Sequence, residues 1–277
     1  MDTGTEQTRG MDREALDGLR IERARAALEK GDPATAIVEA EELLDVSPDN
    51  LDALLLVGEA CLDLGDAVVG HAALSRYCEL NPNNAAALSA LAVTSFELTW
   101  IELCVASARR STTLNPFGAE AWFFLGLALE RIGEYAESLD ALSRAAQLDA
   151  EAYPLIDPLD DAEWDQAVEL GQRMLAKELR DWYGQVPLRV ELFPDLNELR
   201  VSQPPLSPTT PALASGPLPE DGADPWEVHP EAVRLYRGNL ERIAAMEGDL
   251  ARRIAEALRG EALEWLALAD DAYPLPE

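Results

Sequence analysis

The sequence predicts a mainly α-helical chain, with a repeat solenoid in its first half and a small α+β domain in its second. Three observations lead to this fold class. Residues 17–152 repeat with a period of 34 positions. Apolar residues in both halves recur at spacings of three and four, the period of an amphipathic α-helix. After residue 152 prolines become frequent, and one short segment alternates apolar and charged residues as a strand does.

Composition narrows the classes of partner. The 277 residues are 48% hydrophobic, enough for two modest cores, and carry a formal net charge of −30. That charge repels phosphate backbones and anionic lipid, so nucleic-acid and membrane binding are not expected. The polar segment 1–16 is expected to be flexible and contains no secretory signal, which favours a cytoplasmic location. The three cysteines lack a pairing signature and are expected to be buried thiols.

Four consecutive frames of 34 residues align without a gap. They cover 17–50, 51–84, 85–118 and 119–152, and they end in DVSPDN, ELNPNN, TLNPFG and QLDAEA. The first three endings place a proline in register. A glycine occupies the turn in the middle of three frames, and Thr99 occupies it in the third frame. Each frame is therefore predicted to be two helices joined by a tight turn.

This pattern resembles the tetratricopeptide repeat (TPR), whose period is 34. The fourth frame supplies the bulky and small residues of the family pattern at Trp122, Leu125, Gly126, Leu129, Ser138 and Ala145. Small residues at two of these positions would let the two helices of a repeat approach closely. One helix pair cannot bury its apolar face alone, whereas four stacked pairs form a continuous core.

The resemblance implies a binding groove lined by the first helix of each repeat. The predicted partner-binding residues are Leu55, Glu59, Leu62, Val93, Phe96, Phe123, Leu127 and Glu130. This groove would be apolar, without a Lys/Arg cluster to hold a terminal carboxylate, so its expected partner is an apolar or basic protein segment. The alternative is that the chain's own C-terminal half covers this stripe.

The second half begins with a linker at 153–161. Apolar periodicity then predicts a helix over 162–183, alternation predicts a strand over 188–194, and AVRLY predicts another strand over 232–236. The proline-rich run 194–230 is expected to be an irregular, extended or disordered loop. The remaining residues predict two helices with a break at Gly248 or Gly260, followed by a tail at 272–277.

This order resembles the minimal zincin-like metallopeptidase domain of bacteria over 162–271, with a two- or three-stranded sheet. The resemblance rests above all on the segment RLYRGNLERIAAMEGDLARRIAEALRGEALEWLALADD. In that family the corresponding helix delivers the motif H-E-x-x-H-x-x-G-x-x-D. Here the five motif positions fall on Gly260, Glu261, Glu264, Ala267 and Asp270.

The two positions that require histidine hold Gly260 and Glu264. Two histidines four residues apart bind zinc together on one face of a helix, and a catalytic zinc needs about three protein ligands. The only histidines are His71 and His229, and neither falls on the motif. No catalytic residue, metal or cofactor is therefore expected, and the carboxylates of Glu261 and Glu264 are expected to be solvated.

The resulting hypothesis is a non-catalytic cytoplasmic module that binds a partner protein through its TPR groove and carries a pseudo-peptidase domain. One alternative is an acidic chaperone or inhibitor of an exported or proteolytic partner, supported by the charge of −30. A further alternative is an active zinc metallopeptidase.

Overall fold

The fold was analysed in a computed structural model that describes residues 3–202, 206–217, 219 and 224–276, with side chains described from residue 15 onward. The chain divides into two compact units at the junction between Leu148 and Asp149. This junction lies four residues before the end of the fourth predicted repeat. Each unit is described below by itself.

The first unit is built of α-helices in consecutive pairs, one pair for each predicted repeat. The helix that opens the first pair extends back to Thr3, within the segment 1–16 that was expected to be flexible. The helices are α1 Thr3–Glu29, α2 Pro33–Leu44, α3 Leu51–Leu64, α4 Ala67–Leu80, α5 Ala85–Glu97, α6 Ile101–Leu114, α7 Ala119–Arg131 and α8 Tyr135–Leu148.

The repeat boundaries are set by local hydrogen bonds. Asn50 and Asn84 precede α3 and α5, and the side chain of each accepts a hydrogen bond from the backbone N–H three residues on, at 3.0 and 3.1 Å. Such caps satisfy one of the unpaired donors at a helix start. The prolines that fall in register lie two residues before these caps, where the preceding helix has ended.

The turn inside each repeat adopts a left-handed backbone. Its φ angle is +72° at Gly31, +73° at Gly65 and +82° at Gly133, values that glycine accepts without steric cost. Thr99 adopts the same conformation in the third repeat, with φ of 60°. The turn therefore has one geometry in all four repeats, although its residue differs in one.

The small residues of the repeat pattern lie where helices approach closely. A Cβ atom added to Gly58 in α3 would lie 2.5 Å from Cγ of Leu74 in α4. A Cβ added to Gly126 in α7 would lie 2.6 Å from Cγ of Leu142 in α8. A larger side chain at either position would force the two helices of the repeat apart, so the predicted close approach is confirmed.

The second unit combines helices with a small sheet. Its strands have the order β1-β3-β2, with β1 parallel and β2 antiparallel to β3. The elements are α9 Asp161–Met174, α10 Lys177–Tyr183, β1 Leu188–Glu191, α11 Leu196–Val201, β2 Ala212–Ser215, β3 Ala232–Tyr236, α12 Arg237–Glu247 and α13 Leu250–Trp265.

Several boundaries differ from those predicted. The helix predicted over 162–183 is interrupted at the buried Leu175, whose ψ of 150° separates α9 from α10. The run 194–230, predicted to be irregular, contains α11 and β2. Of the two glycines proposed for the last break, Gly248 ends α12, whereas Gly260 lies within α13.

The core of the second unit forms around α13. Ile254, Leu258 and Ala262, which recur every four residues on one face of this helix, are fully buried. The helix packs closely on α9, since a Cβ added to Gly171 would lie 2.7 Å from the carbonyl oxygen of Ala251. Both faces of β3 are largely buried as well. Residues of α9, β3 and α13 therefore belong to one hydrophobic core.

Candidate functional site

The predicted partner-binding residues lie on three successive first helices. Of the five predicted residues on α3 and α5, four retain solvent exposure: Leu55, Leu62 and Val93 are partly exposed, and Glu59 is exposed. We refer to these four residues as the open face. Their arrangement places three apolar side chains beside one carboxylate on the first helices of repeats two and three.

The other predicted positions are mostly buried. Phe96 has no exposed surface, and Leu127 and Phe123 retain 2% and 7% exposure. Glu130 is partly buried and forms an ion pair with Arg131 at 3.0 Å. Side chains with so little exposed surface offer little area to a partner, so the accessible part of the predicted groove is the open face.

Aromatic packing accounts for part of this burial. The rings of Phe96 and Phe124 meet edge to face with centroids 5.7 Å apart, and Phe123 and Phe124 do so at 5.6 Å. The guanidinium of Arg131 lies 6.0 Å from the centre of the Phe96 ring. The sequence signal for this cluster is the pair of adjacent phenylalanines in α7, which places one ring toward α5.

Polar contacts bridge successive first helices beside the open face. Arg25 donates a hydrogen bond to Asp52 at 2.9 Å, and Ser89 donates one to Glu120 at 2.7 Å. Partial burial raises the pKa of Glu59, the charge of Arg25 lowers it, and the charge of Asp63 raises it. Because Arg25 already pairs with Asp52, the charge beside the open face is predominantly acidic.

The five positions compared with the zincin-like motif lie on α13 and the turn after it. Gly260 and Glu264 are exposed and stand one helical turn apart, and no neighbouring atom lies within 4 Å of a Cβ added to Gly260. Asp270 is exposed beyond the end of the helix, where its carbonyl oxygen accepts a hydrogen bond from Arg259. The two positions that the motif reserves for histidine therefore face open space.

Glu261 is the most perturbed carboxylate of this region. The backbone N–H of Ala214 in β2 donates a hydrogen bond to its Oε2 at 2.6 Å. Burial raises the pKa of Glu261 to about 7, the bond from Ala214 opposes this rise, and the charge of Glu264 adds to it. The expectation of a solvated carboxylate is therefore wrong for Glu261, whereas Glu264 is exposed as expected.

The turn after α13 has an uncommon backbone. Ala267, at the motif position reserved for glycine, adopts a left-handed conformation with φ of 51°. L residues pay a steric cost for this conformation and glycine does not. Ala267 therefore holds a backbone conformation that glycine adopts at lower cost.

The described residues contain neither a metal-binding cluster nor a membrane-spanning helix. Within them, no group of three or more His, Cys, Asp and Glu side chains is placed to hold a metal ion. His229 is partly buried, and its ring stacks on Trp182 at 5.8 Å. In the same part of the chain, no helix has the length and apolar content needed to cross a bilayer.

Comparison with known proteins identifies the repeats. The tetratricopeptide repeat family matches residues 21–85 and 105–153. No curated protein matches the chain. The fold and this match together make the N-terminal half a TPR array, while the C-terminal unit is not identified.

Several solved structures, including structures of MamA, are similar to part of this chain. A crystal structure of the MamA protein is 22% identical, covers 49% of this chain and 74% of its own, and has a TM-score of 0.46. A second MamA structure is 23% identical, covers 46% and 75%, and has a TM-score of 0.43. MamA 41-end from Desulfovibrio magneticus RS-1 is 20% identical, covers 56% and 82%, and has a TM-score of 0.45. Similarity at this level carries no information on function.

Proposed function

Because the N-terminal half of the chain is a tetratricopeptide repeat array, we propose that the protein is a non-catalytic interaction module that binds a partner through the open face. The observation that carries this proposal is the exposure of Leu55, Leu62 and Val93 on successive first helices. Apolar side chains that line a stacked-helix surface and stay accessible are typical of peptide-binding grooves.

The acidic charge around the open face favours a partner segment that carries basic residues. Glu59 lies among its apolar residues, Asp63 follows on the same helix, and the whole chain carries a net charge of −30. A segment with apolar residues flanked by Lys or Arg would bury the former and be attracted by the latter. Long-range attraction of this kind raises association rates and is weakened by salt.

The second part of the proposal is that the C-terminal unit is a pseudo-peptidase that acts as a scaffold. Its support is the helix α13, where Gly260 and Glu264 stand at the two motif positions that need histidine. The left-handed backbone at Ala267, the motif position reserved for glycine, is a further supporting observation. In addition, one carboxylate oxygen of Glu261 accepts a hydrogen bond from the backbone N–H of Ala214 in β2, which ties this side chain to the sheet.

Affinity capture with matched variants tests the partner site. Leu55→Glu and Leu62→Glu introduce charge on the open face, and Val38→Glu introduces it on an exposed residue of α2. Mass spectrometry identifies and quantifies the partner that the wild type captures. We expect the captured amount to fall at least roughly tenfold with the first two variants and to be unchanged with the third. Circular dichroism checks that all three remain folded.

Equal capture by the wild type and the open-face variants would overturn the proposed site. If the wild type captures nothing, the alternative in which the C-terminal half covers the groove is favoured. A client that stays insoluble or toxic unless this protein is present would instead favour the acidic chaperone or inhibitor, for which the net charge is the supporting observation.

Metal analysis tests the pseudo-peptidase. We expect the purified protein to contain far less than one zinc per chain and Glu264→Ala to change nothing, because the motif lacks its histidines. Stoichiometric zinc that disappears in Glu264→Ala would contradict the proposal and favour the zinc peptidase.

A further inference from the structure

A cleft in the C-terminal unit is lined by none of the motif positions on α13. It has a volume of about 400 Å³, within the range of small-ligand pockets, which is roughly 300–1,000 Å³. Its walls come from α10 and the residues just after it, from the segment around 226, and from the chain end. The lining residues are Glu178, Asp181, Trp182, Gln185, Trp226 and Tyr273.

Three aromatic rings form the apolar part of this cleft. Trp226 and Tyr273 are partly buried and meet edge to face, with ring centroids 6.2 Å apart and an interplanar angle of 77°. Trp182 retains 2% exposure and is held between Tyr183, at 4.9 Å, and His229, at 5.8 Å. Aromatic faces carry partial negative charge, so clustered rings attract cations.

Two carboxylates supply formal charge to the same cleft. Glu178 and Asp181 are exposed and lie three residues apart, on neighbouring positions of the α10 surface. None of the six lining residues is basic. Lys177 lies 3.9 Å from Asp181, but both side chains are at least 70% exposed, and such pairs contribute little. The residues that line the cleft therefore combine aromatic surface with a net negative charge.

The backbone that carries Tyr273 is strained and held in place. Its φ of 51° is unfavourable for a non-glycine residue. Arg259 of α13 donates hydrogen bonds to the carbonyl oxygens of Tyr273, at 2.8 Å, and of Ala272, also at 2.8 Å. One guanidinium thus holds the chain end against α13 and fixes the ring of Tyr273 beside Trp226.

From these observations we propose that the cleft binds an alkylammonium group, between the rings of Trp226 and Tyr273 and the carboxylates of Glu178 and Asp181. Anionic ligands are disfavoured by the two carboxylates. A neutral aromatic ligand would make no ionic interaction with these carboxylates. Methylated ammonium is the best match, because its methyl groups contact aromatic faces while its charge faces the carboxylates. This site does not depend on the proposed TPR function.

Two sources share this chemistry, a free small molecule and a methylated lysine side chain of a protein. Full-length protein would be titrated with choline, with the amide of Nα-acetyl-Nε-trimethyl-lysine, and with 3,3-dimethylbutan-1-ol, the neutral analogue of choline. Binding would be followed by calorimetry and by NMR of the tryptophan indole signals. We expect saturable binding of at least one cation and at least roughly tenfold weaker binding of the neutral analogue.

The preferred cation identifies the source. Tighter binding of choline assigns a free small molecule, tighter binding of the lysine derivative assigns a protein side chain, and equal binding supports an ammonium site that reads the charged group alone. Absence of saturable binding for both cations overturns the proposal. Equal binding of choline and its neutral analogue overturns it as well, since the charge would then have no role.

Variants locate the site. Trp226→Leu and Tyr273→Leu should each weaken cation binding roughly tenfold, while Tyr273→Phe, which keeps the ring, should bind like the wild type. The double variant Glu178→Gln, Asp181→Asn should weaken cation binding and reduce its salt dependence. Matched controls are Tyr135→Leu and the double variant Glu134→Gln, Asp140→Asn, all exposed residues of the first unit. Unchanged affinity in folded Trp226→Leu and Tyr273→Leu would place binding elsewhere and contradict the assignment.

Discussion

At the scale of single residues, burial decides which predicted groove positions can meet a partner. Repeat arithmetic places Phe96 and Leu62 at equivalent positions of their repeats, yet Phe96 is fully buried and Leu62 is partly exposed. The difference comes from Phe124 and Arg131, which lie against the Phe96 ring. Equivalent positions in a repeat therefore share a helix face without sharing a role.

Two phenylalanines give a direct measurement of this distinction. Phe96→Ala should lower the free energy of unfolding by about 3–5 kcal/mol, because it removes a buried ring and leaves a cavity. Phe117→Ala is the matched control and should change it by less than about 0.5 kcal/mol, since Phe117 is 76% exposed. Urea denaturation measures both. Similar values for the two variants would show that Phe96 does not belong to the core.

Glu261 gives a prediction of pH dependence. Its pKa in the folded protein is about 7, above the ordinary value of 4.5, so the folded state holds the proton more tightly than the unfolded state. The stability contributed by this group is therefore greatest below about pH 4.5, declines as the pH rises to about 7, and is constant above that. The loss amounts to at most about 3 kcal/mol.

The variant Glu261→Gln isolates this effect, because its amide oxygen can still accept the bond from Ala214. Relative to the wild type, it should be more stable at pH 8 by up to about 3 kcal/mol and close to equal near pH 4.5. Chemical denaturation at the two pH values measures the difference. Asp165→Asn, at an exposed carboxylate of α9, is the control and should follow the wild type. If the difference in stability between Glu261→Gln and the wild type does not vary with pH, the raised pKa of Glu261 is contradicted.

At the scale of elements, the first unit was predictable because its determinants are local. Caps such as Asn50, turns such as Gly65 and close contacts such as Gly58 with Leu74 all recur at the same repeat position. The second unit depends on distant partners. Nothing in ALAS marks β2 until it pairs with β3, and α11 is tied to β3 by the ion pair between Glu198 and Arg234.

Two glycine substitutions test the assignment of turn and helix. Gly65→Ala should destabilise the protein by about 1–2 kcal/mol, because φ of +73° is unfavourable for alanine whatever the surrounding space. Gly260→Ala should stabilise it by about 0.5–1 kcal/mol, since Gly260 is exposed inside α13 and a Cβ there meets no neighbour. Thermal or urea denaturation checks both signs. Equal signs would contradict one of the two backbone assignments.

The candidate sites show the same division between local and distant information. The sequence placed the groove residues on the first helices and the motif positions on α13, because repeat register and helical spacing are local. It did not predict the bond between Ala214 and Glu261, residues that are far apart in the chain. The aromatic cleft likewise joins Trp182, Trp226 and Tyr273 from three separate segments, and no spacing rule connects them.

At the scale of the whole molecule, the net negative charge is the main feature that makes stability depend on salt. A net charge of −30 on 277 residues repels itself in the folded state, and salt screens that repulsion. Raising the ionic strength from about 0.01 M to about 0.15 M shortens the screening length from about 30 Å to about 8 Å. The melting temperature should therefore rise, by about 2–4 °C for each kcal/mol gained.

Differential scanning fluorimetry in sodium chloride measures this rise. The same salt series should slow association with a basic partner, so stability and binding are expected to move in opposite directions. A melting temperature that falls with salt would show that attractive ion pairs, such as Arg76 with Asp49 and Glu79, outweigh the repulsion.

The left-handed turn at Thr99 bears on how such arrays are counted. Residues 86–104, which lie between the two segments that the repeat family matches, contain this turn and almost the whole of α5. The backbone there is that of the other three repeats, but its usual glycine is missing. Repeat detection that relies on sequence matching alone will therefore undercount the repeats of arrays whose turn residues have diverged. It will also underestimate the length of ligand that such an array can span.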